Sequence, residues 1–255
     1  MSFVSSEVGA KLARVRDAME RAAVRAGRPG KEITLVAVSK THSAGQVREL
    51  YEAGVRHFGE NRVQEWESKY QLMRDIDATW HMIGHVQGNK AARAVRLFHT
   101  IDSVDSEALA ERLDRAQKDF NTEGTESTEN RPESGSVATK GARLPILIEV
   151  KLDPNAAKSG VSGEELLPLV EAVLPLRHLE LRGLMGVPPY FDDPENARPY
   201  FRRLRDLRDA IRGQMGAELL PVLSMGMSHD FEIAIEEGAT EIRIGTALSG
   251  ERRKS

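Results

Sequence analysis

Eight short apolar runs alternate with amphipathic segments across 255 residues, and no two of these runs follow one another directly. That rhythm and length predict an α/β fold, a (β/α)8 or TIM barrel preceded by one extra helix. An open doubly wound sheet is the competing architecture. Against it, no Gly-x-Gly-x-x-Gly turn follows the first run and no Walker sequence occurs anywhere. The rhythm continues to the end, so residues 1–255 are read as one domain.

Residues 7–26 predict a helix with Leu12, Val15, Met19, Ala22 and Ala23 on one stripe, ended by Gly27 and Pro29. The first strand is 33–40, a continuous run rich in β-branched residues of the kind buried on both faces in parallel sheets. It stops on Ser39 and Lys40. Ser43 caps a helix through Tyr51, and Gly54 leads into a strand over 55–59 that ends in Glu60 and Asn61. A charged helix covers 62–73. The third strand (79–84) precedes a short helix (89–97), and the fourth (98–103) a longer one (106–119).

From 121 to 141 the chain is almost without apolar residues and cannot bury enough surface to offset its ordering entropy. The strand-helix rhythm resumes at Leu144, so the segment is expected to be a disordered surface insertion. The fifth strand (145–150) leads to Asp153, Asn155 and Lys158 and a helix over 163–174. A sixth lies within 178–187, ahead of an arginine-rich helix over 196–214. The seventh (221–224) is followed by a helix that Ser228 caps and that runs to Glu237, and the eighth covers 241–245.

Lys plus Arg number 36 and Asp plus Glu 39, a net charge of −3 that favours neither nucleic acid nor an anionic membrane as partner. The absence of cysteine excludes disulfides, zinc-thiolate sites and thiol nucleophiles. The first residues lack the basic and apolar regions of a signal peptide, and no apolar run approaches ~18 residues. A cytoplasmic chain is expected. It is also expected to be monomeric, since no apolar surface stripe remains unassigned.

Chemistry in such barrels gathers at the C-terminal strand ends, which aims Lys40 at the active-site face. A lysine there forms an imine with an aldehyde once its pKa, ordinarily ~10.4, is depressed by desolvation or a neighbouring cation. The competing reading is a lysine that snorkels into water. Barrels also bind phosphate on the loops after strands seven and eight. Ser224 and Ser228 lie after the seventh, and Gly245 and Thr246 after the eighth. Arg243 sits inside the eighth strand, where a guanidinium needs a fixed acceptor: either an ion pair such as Glu241 or a cofactor ring nitrogen. A lysine, a phosphate cradle and a ring-facing arginine describe a site for pyridoxal 5′-phosphate.

Val38-Ser-Lys-Thr41, Phe58-Gly-Glu-Asn-Arg-Val-Gln-Glu65, Trp80-His-Met-Ile-Gly-His-Val-Gln-Gly-Asn-Lys90, Leu181-Arg-Gly-Leu-Met185, Leu223-Ser-Met-Gly-Met-Ser-His-Asp230 and Arg243-Ile-Gly-Thr246 resemble the pyridoxal phosphate homeostasis proteins. These are single-domain relatives of the alanine racemase barrel, and the resemblance spans nearly the whole chain outside 121–141. It implies that Lys40 holds the cofactor as a Schiff base and that Asn61 lines it. It further implies that Ser224, Ser228, Gly245 and Thr246 hold the phosphate and that Arg243 faces the pyridine nitrogen. The implied role is vitamin B6 homeostasis without catalytic residues, with pyridoxal phosphate-dependent apo-enzymes as recipients. Leu248-Ser249-Gly250 departs from the more usual Ile-Phe-Gly, and the insertion is long for the family.

His81 and His85 are spaced i, i+4 but straddle a strand end, so they do not form a helical metal pair, and no metal is expected. His81 stays a candidate pocket residue, and Lys158 a loop lysine or second amine. A racemase is the alternative function. It needs a base on each face of the substrate α-carbon, and Lys40 is one. In the racemase a tyrosine from a separate C-terminal domain is the other, whereas this chain ends five residues past Gly250. An aldolase would need a carboxylate near Lys40, for which Glu60, Asp102 and Glu149 are placed.

Overall fold

The computed structural model describes residues 7–123, 141–153 and 160–249. Helix α1 (Glu7–Arg25) precedes a repeating pattern in which each strand is followed by a helix. β1 (Thr34–Val38) leads to α2 (Ala44–Glu52), β2 (His57–Glu60) to α3 (Val63–Tyr70), β3 (Thr79–Met82) to α4 (Ala91–Leu97), and β4 (Thr100–Val104) to α5 (Glu107–Thr122). β5 (Leu144–Val150) leads to α6 (Gly163–Val173), β6 (Leu179–Gly186) to α7 (Arg198–Met215), β7 (Val222–Ser224) to α8 (Phe231–Glu236), and β8 (Glu241–Ile244) to α9 (Thr246–Ser249). The strands are parallel, in order β1 to β8, and β8 pairs with β1 to close the barrel, as the sequence predicts.

Which side of each strand faces the lumen follows from one contact. His81 on β3 and Glu241 on β8 come within 3.8 Å although these strands are not neighbours, so they meet only across the barrel interior. Alternation then turns Glu241, Arg243 and Gly245 inward together. Val36 is the register partner of Arg243, which turns Val36 and Val38 inward on β1, the strand that leads to Lys40 at the mouth. Ala37 and Ile244 face the helices and are buried there.

The outer layer is packed by aromatic groups. Trp66 of α3 stacks on Trp80 of β3 with ring centroids 3.8 Å apart, and its Nε1 donates to Leu97 O at 2.7 Å. All five residues of the predicted α1 stripe are buried. That helix packs on α8, where Arg25 reaches Glu232 at 2.9 Å and Glu236 at 2.6 Å. Ser43 forms the expected cap of α2, reciprocated by Gln46.

Ser228 does not cap the helix after strand seven. α8 starts at Phe231 with Asp230 at its N-cap, and the Ser228 hydroxyl instead accepts from the N–H groups of Gly245 and Ala247. The predicted helix over 89–97 is a 3-10 turn (Gly88–Lys90) followed by α4. α5 runs to Thr122, so the first residues assigned to the insertion are helical. Residues 124–140 of that insertion, together with Asn155 and Lys158, lie outside the described residues. The insertion's described edges are tied together: Gly141 N–H donates to Asn121 Oδ1 at 3.0 Å, and Asn121 Nδ2 donates to Ala142 O at 3.2 Å. Among the described residues no helix is long and apolar enough to cross a membrane.

Candidate functional site

Lys40 lies two residues past β1, half-buried, at the C-terminal end of the barrel. The next residue, Thr41, has φ +66°, a conformation that costs a β-branched residue about 1–3 kcal/mol. Asn61 follows β2, and the loop after β3 closes on it. A Cβ at Gly84 would lie 2.2 Å from the Asn61 carbonyl oxygen, so that approach requires glycine. Gly245 borders the β1 side of the mouth, where a Cβ would lie 3.6 Å from Val38 Cβ.

Arg243 lies below this rim and is only 4% exposed. Its Nη1 donates to Ser224 Oγ at 2.6 Å and its Nη2 to the Gly186 carbonyl at 3.0 Å, while the Ser224 hydroxyl donates to Glu241 Oε1 at 2.6 Å. One hydroxyl thus uses its lone pair on the cation and its proton on the anion. Burial works against the Arg243 charge, and the carboxylates of Glu241, Asp102, Glu149 and Asp230 oppose that effect. Ser224 is fully buried within this chain. The structure therefore brings Ser224 to Arg243 rather than to the rim where Ser228, Gly245 and Thr246 lie.

At that rim Ser228 Oγ accepts from Gly245 N at 3.1 Å and Ala247 N at 3.2 Å, and Thr246 opens α9 with its side chain exposed. Among the described residues the Ser228 hydroxyl proton meets no acceptor, so it is available as a donor at the mouth. Gly226 turns the chain here with φ +93°, and a Cβ on it would sit 2.6 Å from Ala234 Cβ. Met227 N–H donates to Asp230 Oδ1 at 2.6 Å, which holds the turn, and burial pushes the Asp230 carboxyl up.

Deeper in the lumen is a cluster the sequence did not assemble. His81 Nδ1 lies 2.8 Å from Asp102 Oδ2 and 3.8 Å from Glu241 Oε2, and its Nε2 lies 3.0 Å from His57 Nδ1. Burial alone would depress His81, but Asp102 and Glu241 outweigh it and raise the imidazole above its ordinary value. His57, desolvated and facing His81, falls to about 4 and stays neutral. The three inward ligand atoms of His81, Asp102 and Glu241 lie within 4.8 Å of one another, and burial pushes the Glu241 carboxyl up. The signal available in the sequence was inward alternation, which puts His81, Asp102 and Glu241 on lumen-facing positions of β3, β4 and β8. A cavity of about 390 Å³ reaches this cluster from the opposite end of the barrel, lined by strand-start residues such as Thr79, Thr100 and Arg143. It is remote from the Lys40 end.

Residues 11–253 match the family model of the alanine racemase N-terminal domain. The pyridoxal phosphate homeostasis protein of Aquifex aeolicus is 40% identical over 243 residues, covering 95% of this chain and 97% of the relative. That of Pseudomonas aeruginosa is 39% identical over 255 residues, covering 99% and 97%. Among solved structures, PipY of Synechococcus elongatus with PLP bound superposes with a TM-score of 0.78 at 36% identity, covering 96% of this chain and all of that one. An alanine racemase of Clostridium difficile, at 13% identity and TM-score 0.63, shares the fold over 94% of this chain and 58% of its own. With alignments of about 40% identity that span nearly its whole length, the chain belongs to the pyridoxal phosphate homeostasis proteins of the alanine racemase N-terminal-domain family.

Proposed function

We propose that this chain binds pyridoxal 5′-phosphate at the barrel mouth and acts in intracellular pyridoxal phosphate and vitamin B6 homeostasis. The observation that carries the reading is one register: Val36 of β1 pairs with Arg243 of β8 on the lumen side, and these adjacent strands lead to Lys40 and Gly245 at the same end of the barrel. The residues fit the group. When bound, the cofactor supplies an aldehyde that condenses with an amine, an aromatic ring nitrogen and a dianionic phosphate. Lys40 offers the amine. Arg243 offers N–H donors to the ring nitrogen and cannot surrender its proton there. Ser228, Gly245 and Thr246 surround the phosphate end, and Asn61, held by the Gly84 contact, lines the ring. Ser224 serves this site by fixing Arg243, not by touching phosphate.

The same arrangement supports a carrier rather than an enzyme. Lys40 is a single base, and all four tyrosines lie away from the inward strand ends: Tyr51, Tyr70 and Tyr200 on helices, and Tyr190 on a loop, 76% exposed and stacked on His229. The recipients are apo-enzymes that use the cofactor, the protein is a monomer, and its place is the cytoplasm.

Lys40→Ala tests the reading. The near-visible absorbance of the cofactor-loaded protein should vanish while the thermal midpoint stays, because Lys40 contributes a bond and little packing. Borohydride reduction followed by peptide mapping should place the cofactor on Lys40 in the unaltered protein. An adduct of equal stoichiometry in the variant would transfer the site to another lysine, with Lys158 first in line.

A further inference from the structure

Lys40 occupies the second position of a tight turn. The Ser39 carbonyl accepts from the His42 N–H at 3.0 Å, and the third position is Thr41 with φ +66°. Turns of this shape favour glycine or asparagine there, and a β-branched residue persists only where its surroundings over-determine it. Three side chains from β2 and α3 do so. Thr41 N–H donates to Glu65 Oε1 at 2.5 Å. Lys69 Nζ donates to the Ser39 carbonyl at 3.1 Å and to Glu60 Oε1 at 2.7 Å, and lies 3.5 Å from Glu65 Oε1. Ser39 Oγ donates to the same Glu60 oxygen at 2.8 Å.

An ion-pair cluster that merely braced α3 on β2 would have no cause to bond the main chain on both sides of one residue. This one does so, through Ser39 O before Lys40 and Thr41 N after it. The Lys40 carbonyl is held as well, 3.0 Å from His42 Nδ1. Glu60 has no exposed surface, and its second oxygen has no partner among the described residues. A carboxyl group is thus buried against the turn that has Lys40 at its second position.

We infer that Glu60, Glu65 and Lys69 are positioning residues for Lys40, locking the Ser39–His42 turn so that the amine points into the lumen above Arg243. This rests on Lys40 being the cofactor lysine, which Lys40→Ala tests independently.

The test starts from protein without cofactor. Trace acetylation read by peptide mass spectrometry gives the labelling of Lys40 relative to the other lysines, which serve as internal standards. Glu65→Ala removes the acceptor for Thr41 N–H from a helix surface where the side chain is 28% exposed, so folding is expected to survive. Relative labelling of Lys40 should rise at least about threefold as the turn relaxes. Attachment of pyridoxal phosphate, followed by absorbance, should slow by about tenfold. Glu65→Gln, whose amide oxygen still accepts from Thr41, should restore both, and Lys69→Met should behave like Glu65→Ala. Unchanged Lys40 labelling and attachment in Glu65→Ala and Lys69→Met proteins that melt normally would overturn the inference. Failure of Glu65→Gln to rescue would do the same. If the cofactor attaches elsewhere in the unaltered protein, the functional reading fails, and the labelling arm, which uses no cofactor, still judges the turn.

Discussion

His99 shows how much of this barrel's chemistry is decided by single buried groups. It lies just before β4, and its Nδ1 accepts from the Trp80 N–H at 3.0 Å, an arrangement that only an unprotonated Nδ1 can make. Burial, followed by the charge of His81, lowers its pKa to about 4. The unfolded chain takes up this proton near the ordinary value of ~6.5. Between about 6.5 and about 4 the unfolded state therefore binds more protons than the folded one, and stability falls as the pH falls. His57 adds to the same window, because burial and His81 bring it also to about 4. His81 has the opposite sign: its raised pKa gives a contribution that is full below ~6.5 and fades as the pH rises through the folded value. His99→Gln keeps an acceptor for Trp80 N–H without a titrating ring. Its urea-unfolding free energy should decline less steeply than that of the unaltered protein between pH 6.5 and pH 4, by up to one proton's worth of slope. Parallel slopes would show that His99 does not govern the acid limb. Nothing in the sequence around His99 announces this role, since a histidine beside an apolar strand reads the same whether or not a backbone N–H points at it.

At the scale of elements, the loop after β3 is the piece that packs against the end of β2 at Asn61. Gly84 carries it within reach of Asn61, and Ser103 Oγ of β4 donates to the Gly84 carbonyl at 2.6 Å to hold it there. In Gly84→Ala the new methyl would meet main chain rather than the end of a flexible side chain, so the loop itself must move. The expected cost is about 1–3 kcal/mol of stability, with cofactor affinity lower by about tenfold, or about 1.4 kcal/mol. Equilibrium unfolding and absorbance titration measure the two separately. A variant that loses stability yet binds with unchanged affinity would remove Asn61 from the site. Elements such as α1 and the cap of α2 were legible because their signals are local: an apolar stripe at helical spacing, and a serine three residues before a glutamine. The role of Ser228 was not legible. Its hydroxyl bonds Gly245 and Ala247, 17 and 19 residues away, and a local cap and a distant one leave the same letter in the sequence.

For the molecule as a whole, the barrel could be read from eight alternating runs, and so could the positions of Lys40 just past one strand and Arg243 inside another. The polar lumen could not, because His81 and Glu241 are far apart in the chain and become neighbours only when β8 closes on β1. That closure also bears on whether the protein turns over amino acids. On the proposed reading, Lys40 would hold the cofactor through a bond that a free amine could displace, which requires no second acid or base. Racemisation needs a second positioned acid or base on the opposite face of the α-carbon, a contribution worth about 10²- to 10⁴-fold in rate. Tyrosine is absent from the inward strand ends, and the imidazole of His81 is bound to Asp102 and His57 deep in the lumen, on the far side of Arg243 from the mouth. Arg243 itself, fixed by Ser224 and Gly186, keeps its proton, so at a ring nitrogen it would donate a hydrogen bond without protonating the ring and would leave weak the electron withdrawal that carbanion chemistry requires. Cofactor-loaded protein incubated with L-alanine in deuterated water should therefore show little Cα exchange by NMR and no accumulation of D-alanine above background. Exchange at enzyme-like rates with D-alanine formation would establish a single-barrel racemase in place of a carrier, and the loss of that exchange in Lys40→Ala would identify one of its two bases.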